Sequence, residues 1–231
     1  MHQISVIIPV INEASALEIL IPYIKVQAQS DAVLEILVAD GGSTDQSVEI
    51  AGQLGARVIM SGRGRAVQLN AAAAQAKGNI LYFLHADTLP PAGFDTHILE
   101  AQRKHPVAGC FRLRFDKAGW FLNCFEWMTR FNLSICRGGD QSLFIPTAWF
   151  KKIGGYNETY RIYEDNELTD RLYGKYPFTV LPQSVTTSAR RYHEIGTFRL
   201  QYYFALIHLK KRLGYTPEAL WEQYRRTILK Q

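Results

Sequence analysis

Cysteine is scarce in this sequence, and the few cysteines present predict neither a metal site nor a disulfide framework. The 231 residues contain three of them, Cys110, Cys124 and Cys136. Their number is odd, their spacing is wide, and no CxxC pair occurs. We therefore expect buried free thiols and a reducing, cytoplasmic compartment.

Long hydrophobic runs are also missing. No stretch of about 18 uninterrupted apolar residues is present, which excludes a membrane-spanning helix. The first residues, MHQISVIIPVINE, lack the basic region and the cleavage site of a signal peptide. With 47% hydrophobic and 20% charged residues, the composition is typical of a globular protein and excludes a disordered tail or a collagen-like fibre.

Acidic residues are under-represented only towards the C-terminus. Residues 190–231 contain nine Lys and Arg against three Asp and Glu, a local charge of +6, whereas residues 1–189 carry −1. Such a tail suits a phosphate ligand, an anionic membrane surface or nucleic acid. No helix-turn-helix, zinc-finger or RNP motif accompanies the charge, so we expect no nucleic-acid partner.

The first half of the chain alternates between short apolar runs, rich in β-branched residues, and helical stretches. Near-continuous apolar strands separated by helices predict an α/β fold with a mostly parallel, doubly wound sheet. The predicted strands are 4–10, 34–40, 56–60 and 79–85, and the predicted helices are 14–28, 44–54 (after a cap at 43–45) and 64–77.

The second half is more mixed, and no repeat or linker divides the chain. We expect a core domain at residues 1–195 and a C-terminal helical appendage at residues 196–231. The predicted strands are 107–115, 141–146 and 178–182, and the predicted helices are 119–131, 147–153, 164–174, 196–213 and 217–229.

Polar residues follow the first two strands, and ligands bind at such strand ends. After the first strand, Pro9 stops the ladder, and Asn12 and Glu13 either cap the next helix or face a ligand. After the second strand, Asp40 and Gly41 begin a turn that is either a plain capped turn or an anion site. Because Asp40 precedes the cap and cannot serve the helix, we expect it to meet a ligand hydroxyl.

A carboxylate also follows the fourth strand, in the sequence His85-Ala86-Asp87. A charge at the end of a buried strand is costly unless it is paired or binds a metal. A hard cation that also binds substrate phosphates is the natural partner of Asp87. Arg63 and Arg65, at a glycine-rich helix start, suit a pyrophosphate.

These segments, in this order, resemble the family 2 glycosyltransferases of the GT-A fold. The first half contains PVINE, VADGGSTD, GRGRAVQLNAAAAQAKGN and FLHADTLP, and the second half continues the similarity at residues 139–142, 153–158 and 163–168. Together the similarity covers about residues 4–195. The HAD sequence, with GGDQS and the C-terminal GYTPEALWEQY, further resembles a subfamily grouped with arsenosugar and radical-SAM-associated transferases.

The resemblance implies a role for each matching residue. Asp165 is the general base on the acceptor hydroxyl, and Glu164 orients the acceptor. Asp87 binds Mn²⁺ or Mg²⁺; His85 is either a further ligand, which would favour Mn²⁺, or a packed strand residue, and His193 is either a ligand or a surface histidine. The residues implied in nucleotide and diphosphate binding are Pro9, Val10, Asn12, Glu13, Asp40, Gly41, Arg63, Arg65, Ala86, Arg190 and Arg191.

The activity implied is that of an inverting, metal-dependent hexosyltransferase, which moves a sugar from a nucleoside-diphosphate donor, with UDP favoured, to an acceptor hydroxyl. One alternative is a catalytically weak GT-A scaffold that binds a nucleotide sugar or a membrane surface. Another is a dinucleotide-binding oxidoreductase, suggested by Gly62-x-Gly64-x-x-Val67, but the third glycine of that motif is missing.

The segment 196–213 has almost no polar face and ends in three basic residues. It is too short to span a bilayer. It either lies in a membrane interface, which would put the protein at the inner face of the membrane, or packs on the domain or in a homodimer.

Overall fold

The computed structural model describes residues 2–103, 105–117 and 119–229. Met1 and residues 230–231, the outer ends of the two predicted domains, lie outside the described residues. The strands are β1 (Ile4–Val10), β2 (Val33–Asp40), β3 (Arg57–Met60), β4 (Ile80–Phe83), β5 (Thr88–Leu89), β6 (Ala108–Phe115), β7 (Leu143–Pro146) and β8 (Phe178–Thr187). The helices are α1 (Ala14–Gln27), α2 (Ser47–Gln53), α3 (Arg65–Gln75), α4 (Phe94–Gln102), α5 (Trp120–Met128), α6 (Thr147–Ile153), α7 (Glu164–Tyr173), α8 (Arg190–Ile195), α9 (Thr197–Arg212) and α10 (Pro217–Thr227).

In the described part of the chain the strands form one sheet, in the order β3-β2-β1-β4-β7-β6-β8-β5. The neighbours from β3 to β4 are parallel, and so are β6 and β8. Strand β7 runs antiparallel to both of its neighbours, and β5 runs antiparallel to β8. The mostly parallel α/β sheet is therefore confirmed.

Helices cover both faces of this sheet. On one face, α1 and α4 pack against the strands through Leu17 and Phe94. On the other face, α3 and α7 pack through Leu69 and Leu168. Because side chains alternate along a strand, the central strands supply both clusters, which explains their near-continuous apolar sequences. With both faces covered, the ends of the strands are left to carry polar chemistry.

The C-terminal helices pack on the preceding chain through a third cluster. Leu200 and Ile207 of α9 and Leu220 of α10 are buried against Tyr160, which precedes α7. Both helices therefore exist nearly as predicted, and a shared apolar cluster joins them to the core. The domain boundary at residue 195 stays a prediction.

The loop after β2 differs from the prediction. The helix predicted at 44–54 begins only at Ser47. Asp45 accepts hydrogen bonds from the backbone N–H and the hydroxyl of Ser47, and Ser43 Oγ accepts one from the backbone N–H of Asn12. The predicted cap is therefore wrong. Ser43 instead connects the loops after β1 and β2, and Asp45 binds Ser47 in the first turn of α2.

Strand lengths differ from the prediction in the second half. The strand predicted at 178–182 continues to Thr187, because its end pairs with the short strand β5. The strand predicted at 141–146 begins at Leu143, since residues 139–141 form a 3₁₀ turn. Elements α4, α8 and β5 were not predicted.

The expectation of buried thiols is correct for one cysteine only. Cys110 is buried, Cys136 is half-buried and Cys124 is exposed, and all three are free. None of the described helices is both long enough and apolar enough to cross a membrane.

Candidate active site

The carboxyl ends of β1 and β2 lie side by side, because Val10 is the parallel partner of Asp40. The two following loops meet, and Asn12 Oδ1 accepts a hydrogen bond of 2.8 Å from the backbone N–H of Thr44. Neither Asn12 nor Glu13 caps α1 through its side chain. Of the two interpretations of Asn12, the helix cap is therefore wrong. We call these two strand ends, with their loops and the side chain of Gln68, the β1–β2 edge.

Asp40 is fully buried at this edge. It is the last residue of β2 and lies opposite Val10, the last residue of β1. Its carboxylate accepts hydrogen bonds from the backbone N–H groups of Gly42, at 2.8 Å, and Ser43, at 3.0 Å. Asp40 therefore stabilises the turn that follows β2. Its role towards a ligand hydroxyl stays a prediction.

Gln68, which lies in a segment of the family resemblance but was not among the predicted site residues, joins β1 to β2. It is buried on α3, and its Nε2 donates to the carbonyls of Val10 and Ala39, each at 2.8 Å. A Cβ on Gly41 would lie 2.8 Å from the carboxamide carbon of Gln68, so the glycine makes room for this side chain. The available signal was a glutamine on the apolar face of an alanine-rich helix.

The predicted base lies in the first turn of α7. Glu164 and Asp165 are favourable there because the helix dipole attracts acidic residues at its N-terminus. Tyr163, just before them, has a φ of 70°, which is unusual for a bulky residue. From the start of α3, Arg65 Nη1 lies 3.0 Å from Glu164 Oε1 and 3.6 Å from Asp165 Oδ2.

His85 connects Asp165 to Asp140. Its Nδ1 lies 3.2 Å from Asp140 Oδ1, and its Nε2 lies 3.7 Å from Asp165 Oδ2. The side chain is 12% exposed. Burial and the charge of Arg65 lower the pKa of His85, but the two carboxylates outweigh them and raise it to about 9. We call Arg65, His85, Asp140, Glu164 and Asp165 the charged cluster.

The pKa values of Glu164 and Asp165, the first two residues of α7, are shifted in opposite directions. Burial raises the pKa of Glu164, and the nearby Arg65 only partly offsets this. Burial acts in the same direction on Asp165, but His85 outweighs it and keeps the pKa of Asp165 below its usual value. Asp165 is therefore ionised at neutral pH, which is the state that a proton acceptor needs.

Gly139 lets the backbone approach this cluster closely. A Cβ at this position would overlap Asp165 Oδ2 and lie 3.0 Å from His85 Cε1. The next residue, Asp140, lies in a motif of the family resemblance but was not among the predicted site residues. Tyr156 is buried nearby, and burial together with the charge of Asp165 raises its pKa.

Asp87 follows β4 and is exposed, whereas Ala86 before it is buried. The cost of burying the Asp87 charge, from which a cation was predicted, therefore does not arise. After burial, the charge of Asp87 is the largest cause of the raised pKa of Glu13, so the two carboxylates lie near each other. No three His, Cys, Asp or Glu side chains of the described residues form a metal cluster. The carboxylates of Asp87 and Glu13 would suit a hard cation that also binds phosphate oxygens.

The two predicted histidine ligands do not form a cluster with Asp87 within the described residues. Both ring nitrogens of His85 face carboxylates of the charged cluster, so the side chain would have to leave one of them to bind a metal. His193 is exposed on α8. A cavity of about 430 Å³ is lined by His193, Asp116, Lys117, Ser188, Arg190 and Glu194.

The other predicted arginines lie around the site rather than within the charged cluster. Arg63 is exposed in the turn before α3. The charge of Arg190 opposes the rise in the pKa of Glu13, and the charge of Arg191 helps to lower the pKa of Asp140, where burial opposes it. Helix α8 therefore lies close to both the β1–β2 edge and the charged cluster, with Arg190 Nε 3.8 Å from Glu194 and Arg191 hydrogen-bonded to the hydroxyl of Tyr224.

Comparison with known families gives one match. A family model described as Glycosyl transferase family 2 matches residues 5–150, more than half of the chain. A PGL/p-HBAD biosynthesis glycosyltransferase from Mycobacterium tuberculosis is 29% identical over 213 residues, covering 83% of this chain and 77% of the relative. A protein of the same description from Mycobacterium bovis is equally similar.

Comparison with solved structures shows proteins of similar fold. S. aureus TarS in complex with UDP-GlcNAc matches with a TM-score of 0.67 and 19% identity, over 80% of this chain. The match spans 58% of the TarS chain. The glucosyl-3-phosphoglycerate synthase from Mycobacterium tuberculosis, solved with Mn²⁺, UDP and glucosyl-3-phosphoglycerate, has a TM-score of 0.56 and 19% identity, over 81% of this chain and 70% of that one. At these identities the similarity shows the fold, and the GT-A fold is confirmed.

Proposed function

The chain belongs to glycosyl transferase family 2, and from this premise we propose that it transfers the sugar of a UDP-sugar to an acceptor hydroxyl with inversion at the anomeric carbon. The observation that carries the proposal is the charged cluster, in which an ionised Asp165 lies beside two cationic side chains at the edge where parallel strands end. The UDP-GlcNAc complex of TarS and the UDP complex of the mycobacterial synthase support the choice of UDP.

In this mechanism Asp165 accepts the proton of the acceptor hydroxyl. The acceptor oxygen then bonds to the anomeric carbon on the face opposite the leaving UDP, and the bond from that carbon to the diphosphate oxygen breaks. The electron pair leaves on UDP, and the proton stays on Asp165. Glu164, whose Oε1 accepts a hydrogen bond of 3.0 Å from Arg65 Nη1, lies beside Asp165 and would orient the acceptor.

The β1–β2 edge is the proposed site of the nucleotide. Pro9, Val10 and Glu13 would face the base, and Asp40 the ribose. The arginines Arg63, Arg65, Arg190 and Arg191 would neutralise charge that develops on the diphosphate. This role suits Arg190 and Arg191, because α8 lies close to both halves of the site.

Asp87 is the residue proposed to hold Mn²⁺ or Mg²⁺ together with the donor phosphates, and the Mn²⁺ in the synthase structure supports this. The ion would supply positive charge to the leaving diphosphate. His85 and His193 remain candidates for further ligation. The same His-Ala-Asp sequence supports membership of the subfamily grouped with arsenosugar and radical-SAM-associated transferases.

A panel of UDP, GDP, CDP, dTDP and NAD, each with EDTA, Mg²⁺ or Mn²⁺, tests the proposal by thermal shift. We expect UDP to raise Tm more than the other nucleotides, and more strongly with a divalent cation, because a ligand that binds only the folded state stabilises it. Asp87→Asn should abolish the effect of the cation. Asp31→Asn, which changes an exposed carboxylate just before β2, should keep it.

UDP-sugar turnover completes the test. Release of UDP on addition of acceptor hydroxyls, with the opposite anomeric configuration in the product, is the expected result. A Tm that responds to none of the diphosphates would overturn the proposal. Binding of UDP with no turnover of any UDP-sugar would favour the nucleotide-binding scaffold instead.

A further inference from the structure

Exposed apolar side chains are concentrated on one part of the molecule. Among the described residues, sixteen large hydrophobic side chains are exposed, and eleven of them fall within residues 120–135 and 198–215. Single exposed apolar residues are normal on a protein surface, whereas a concentration of them marks an interaction site.

Helix α9 presents an apolar stripe to solvent. Its inner face is buried through Leu200 and Ile207. Its outer face carries Phe198, Tyr202 and Leu209, which are all exposed and lie at helical spacing. The helix is therefore apolar on both sides, and packing on the core accounts for only one of them.

Helix α5 presents a second stripe. Its outer face carries Trp120, which is 74% exposed, and Trp127, followed by Phe131 at helical spacing. The ring centroid of Phe198 lies 6.3 Å from that of Trp120 and 4.3 Å from that of Phe121. The two stripes therefore form one continuous surface, which we call the aromatic surface and define by Trp120, Trp127, Phe131, Phe198, Tyr202 and Leu209.

The two segments that carry the aromatic surface are basic, although Lys211 Nζ lies 5.2 Å from the ring of the buried Tyr160, on the inner side of α9. Residues 117–135 and 197–215 contain six Lys and Arg and a single acidic residue, Glu126. Glu126 Oε1 is engaged by the backbone N–H of Phe115 at 2.6 Å. The basic residues are Lys117, Arg130, Arg199, Lys210, Lys211 and Arg212.

We propose that the aromatic surface docks this protein on an anionic lipid bilayer. Trp and Tyr are favoured at the interface between headgroups and acyl chains, and Lys and Arg beside them are attracted to anionic headgroups. In a symmetric dimer built on the same surface, two patches of equal positive charge would face each other, which is unfavourable. The sequence left two alternatives open for residues 196–213, a membrane contact and packing on the domain or in a homodimer. The structure adds α5, which supplies both tryptophans.

Docking in this way would orient the candidate active site. Leu122, on the inner face of α5, is buried with Phe115 and Ala189, the residue before α8. Helix α8 in turn carries Arg190 and Arg191, which lie close to the β1–β2 edge and the charged cluster. The bilayer would therefore lie beside the α8 side of the site.

Co-sedimentation of the full chain with vesicles tests the proposal without any activity measurement. We expect binding to mixed phosphatidylcholine–phosphatidylglycerol vesicles, weaker binding to pure phosphatidylcholine, and release at high salt. Trp127→Gln combined with Phe131→Gln should weaken binding about tenfold or more, since both apolar side chains leave the lipid. Ile19→Gln combined with Val26→Gln, which removes two exposed apolar side chains of α1, is the matched control and should bind like the unmodified chain.

Because the substituted side chains are exposed, both double variants should keep the Tm of the unmodified chain, and this is checked first. Failure of the unmodified chain to bind either vesicle overturns the proposal, and so does an equal loss in the control variant. Light scattering tests the other possible partner of the aromatic surface, which is a second copy of the chain. A dimer that Trp127→Gln with Phe131→Gln dissociates, with no vesicle binding, would assign the aromatic surface to a second copy of the chain.

Discussion

The β1–β2 edge and the charged cluster lie at the same end of the sheet, but different forces hold them together. At the β1–β2 edge, backbone N–H groups and carbonyls are paired with the side chains of Asn12, Asp40 and Gln68. In the charged cluster, Arg65 and His85 contact three carboxylates. Hydrogen bonds to the backbone hold the β1–β2 edge in one conformation in the absence of a ligand. Ion pairs can exchange partners, and the charged cluster is where a proton has to move.

Asp165→Asn should distinguish the two regions most clearly, because it should greatly lower turnover and hardly change UDP affinity. The amide cannot accept the acceptor proton, so we expect turnover to fall by about 10³-fold, within the range for general-base catalysis. UDP affinity should stay within about twofold, because the proposed nucleotide contacts lie at the β1–β2 edge. Steady-state kinetics and UDP binding are measured on the same preparation.

Asp170→Asn is the control for this substitution, since Asp170 is an exposed carboxylate on the same helix. It should leave both quantities unchanged. A parallel loss of UDP binding in Asp165→Asn would mean that the two regions act as one, and the assignment of the base would be wrong.

The pH dependence of stability should distinguish the charged cluster, which is held by ion pairs, from the β1–β2 edge, which is held by hydrogen bonds to the backbone. The pKa of His85 is raised from 6.5 to about 9 in the folded chain. The folded state therefore binds the proton more tightly, so the stabilisation is complete below pH 6.5 and is lost as the pH rises through about 9. The shift corresponds to roughly 3 kcal/mol at pH 6.

His85→Gln should remove this component. Chemical denaturation between pH 6 and 9.5, with EDTA present, is expected to show a stability difference from the unmodified chain that is large at low pH and shrinks as the pH rises. His105→Gln, which changes an exposed imidazole, should show no such trend. A difference that grows with pH would contradict the ion pairs of His85.

Much of the β1–β2 edge could be predicted from sequence, because its parts follow two strands that are neighbours in a parallel sheet. The position of Asp40 follows from this topology. The hydrogen-bond partner of its carboxylate does not follow from the topology. The backbone N–H groups of a turn can bind an aspartate without any sequence motif. Gln68 was missed because its two acceptors are carbonyls, which every residue has.

The charged cluster was less accessible to sequence reasoning. Arg65 was expected at a pyrophosphate, but it contacts Glu164, which lies 99 residues further along the chain. His85 and Asp140 are 55 residues apart. No local pattern encodes such contacts, which depend on how α3, α7 and the turn at 139–141 meet. The unpredicted strand β5 has the same origin, since its two residues exist as a strand only through pairing with β8.

Gly139→Ala should damage the charged cluster without removing any charge. The new Cβ would overlap Asp165 Oδ2, so the carboxylate has to move. A displacement of about 1 Å can cost up to about 10²-fold in rate, and we expect kcat to fall about 10- to 100-fold with little change in UDP affinity. Gly138→Ala is the neighbouring control, because a Cβ there meets nothing within 4 Å. Equal losses in the two variants would show that the close approach at Gly139 has no special role.

Gln68→Ala should have the smallest effect, and the opposite profile. It removes the buried side-chain donor to the carbonyls of Val10 and Ala39, although the Val10 carbonyl keeps the hydrogen bond from the backbone N–H of Gly41, and we expect a destabilisation of about 1 kcal/mol. Because those carbonyls end β1 and β2, UDP affinity should fall, whereas kcat at saturating donor should change little. Gln75→Ala, on the same helix but exposed, should lie within about 0.5 kcal/mol of the unmodified chain. A fall in kcat with unchanged UDP affinity would instead make Gln68 part of the catalytic region, and the division of the site into the β1–β2 edge and the charged cluster would no longer hold.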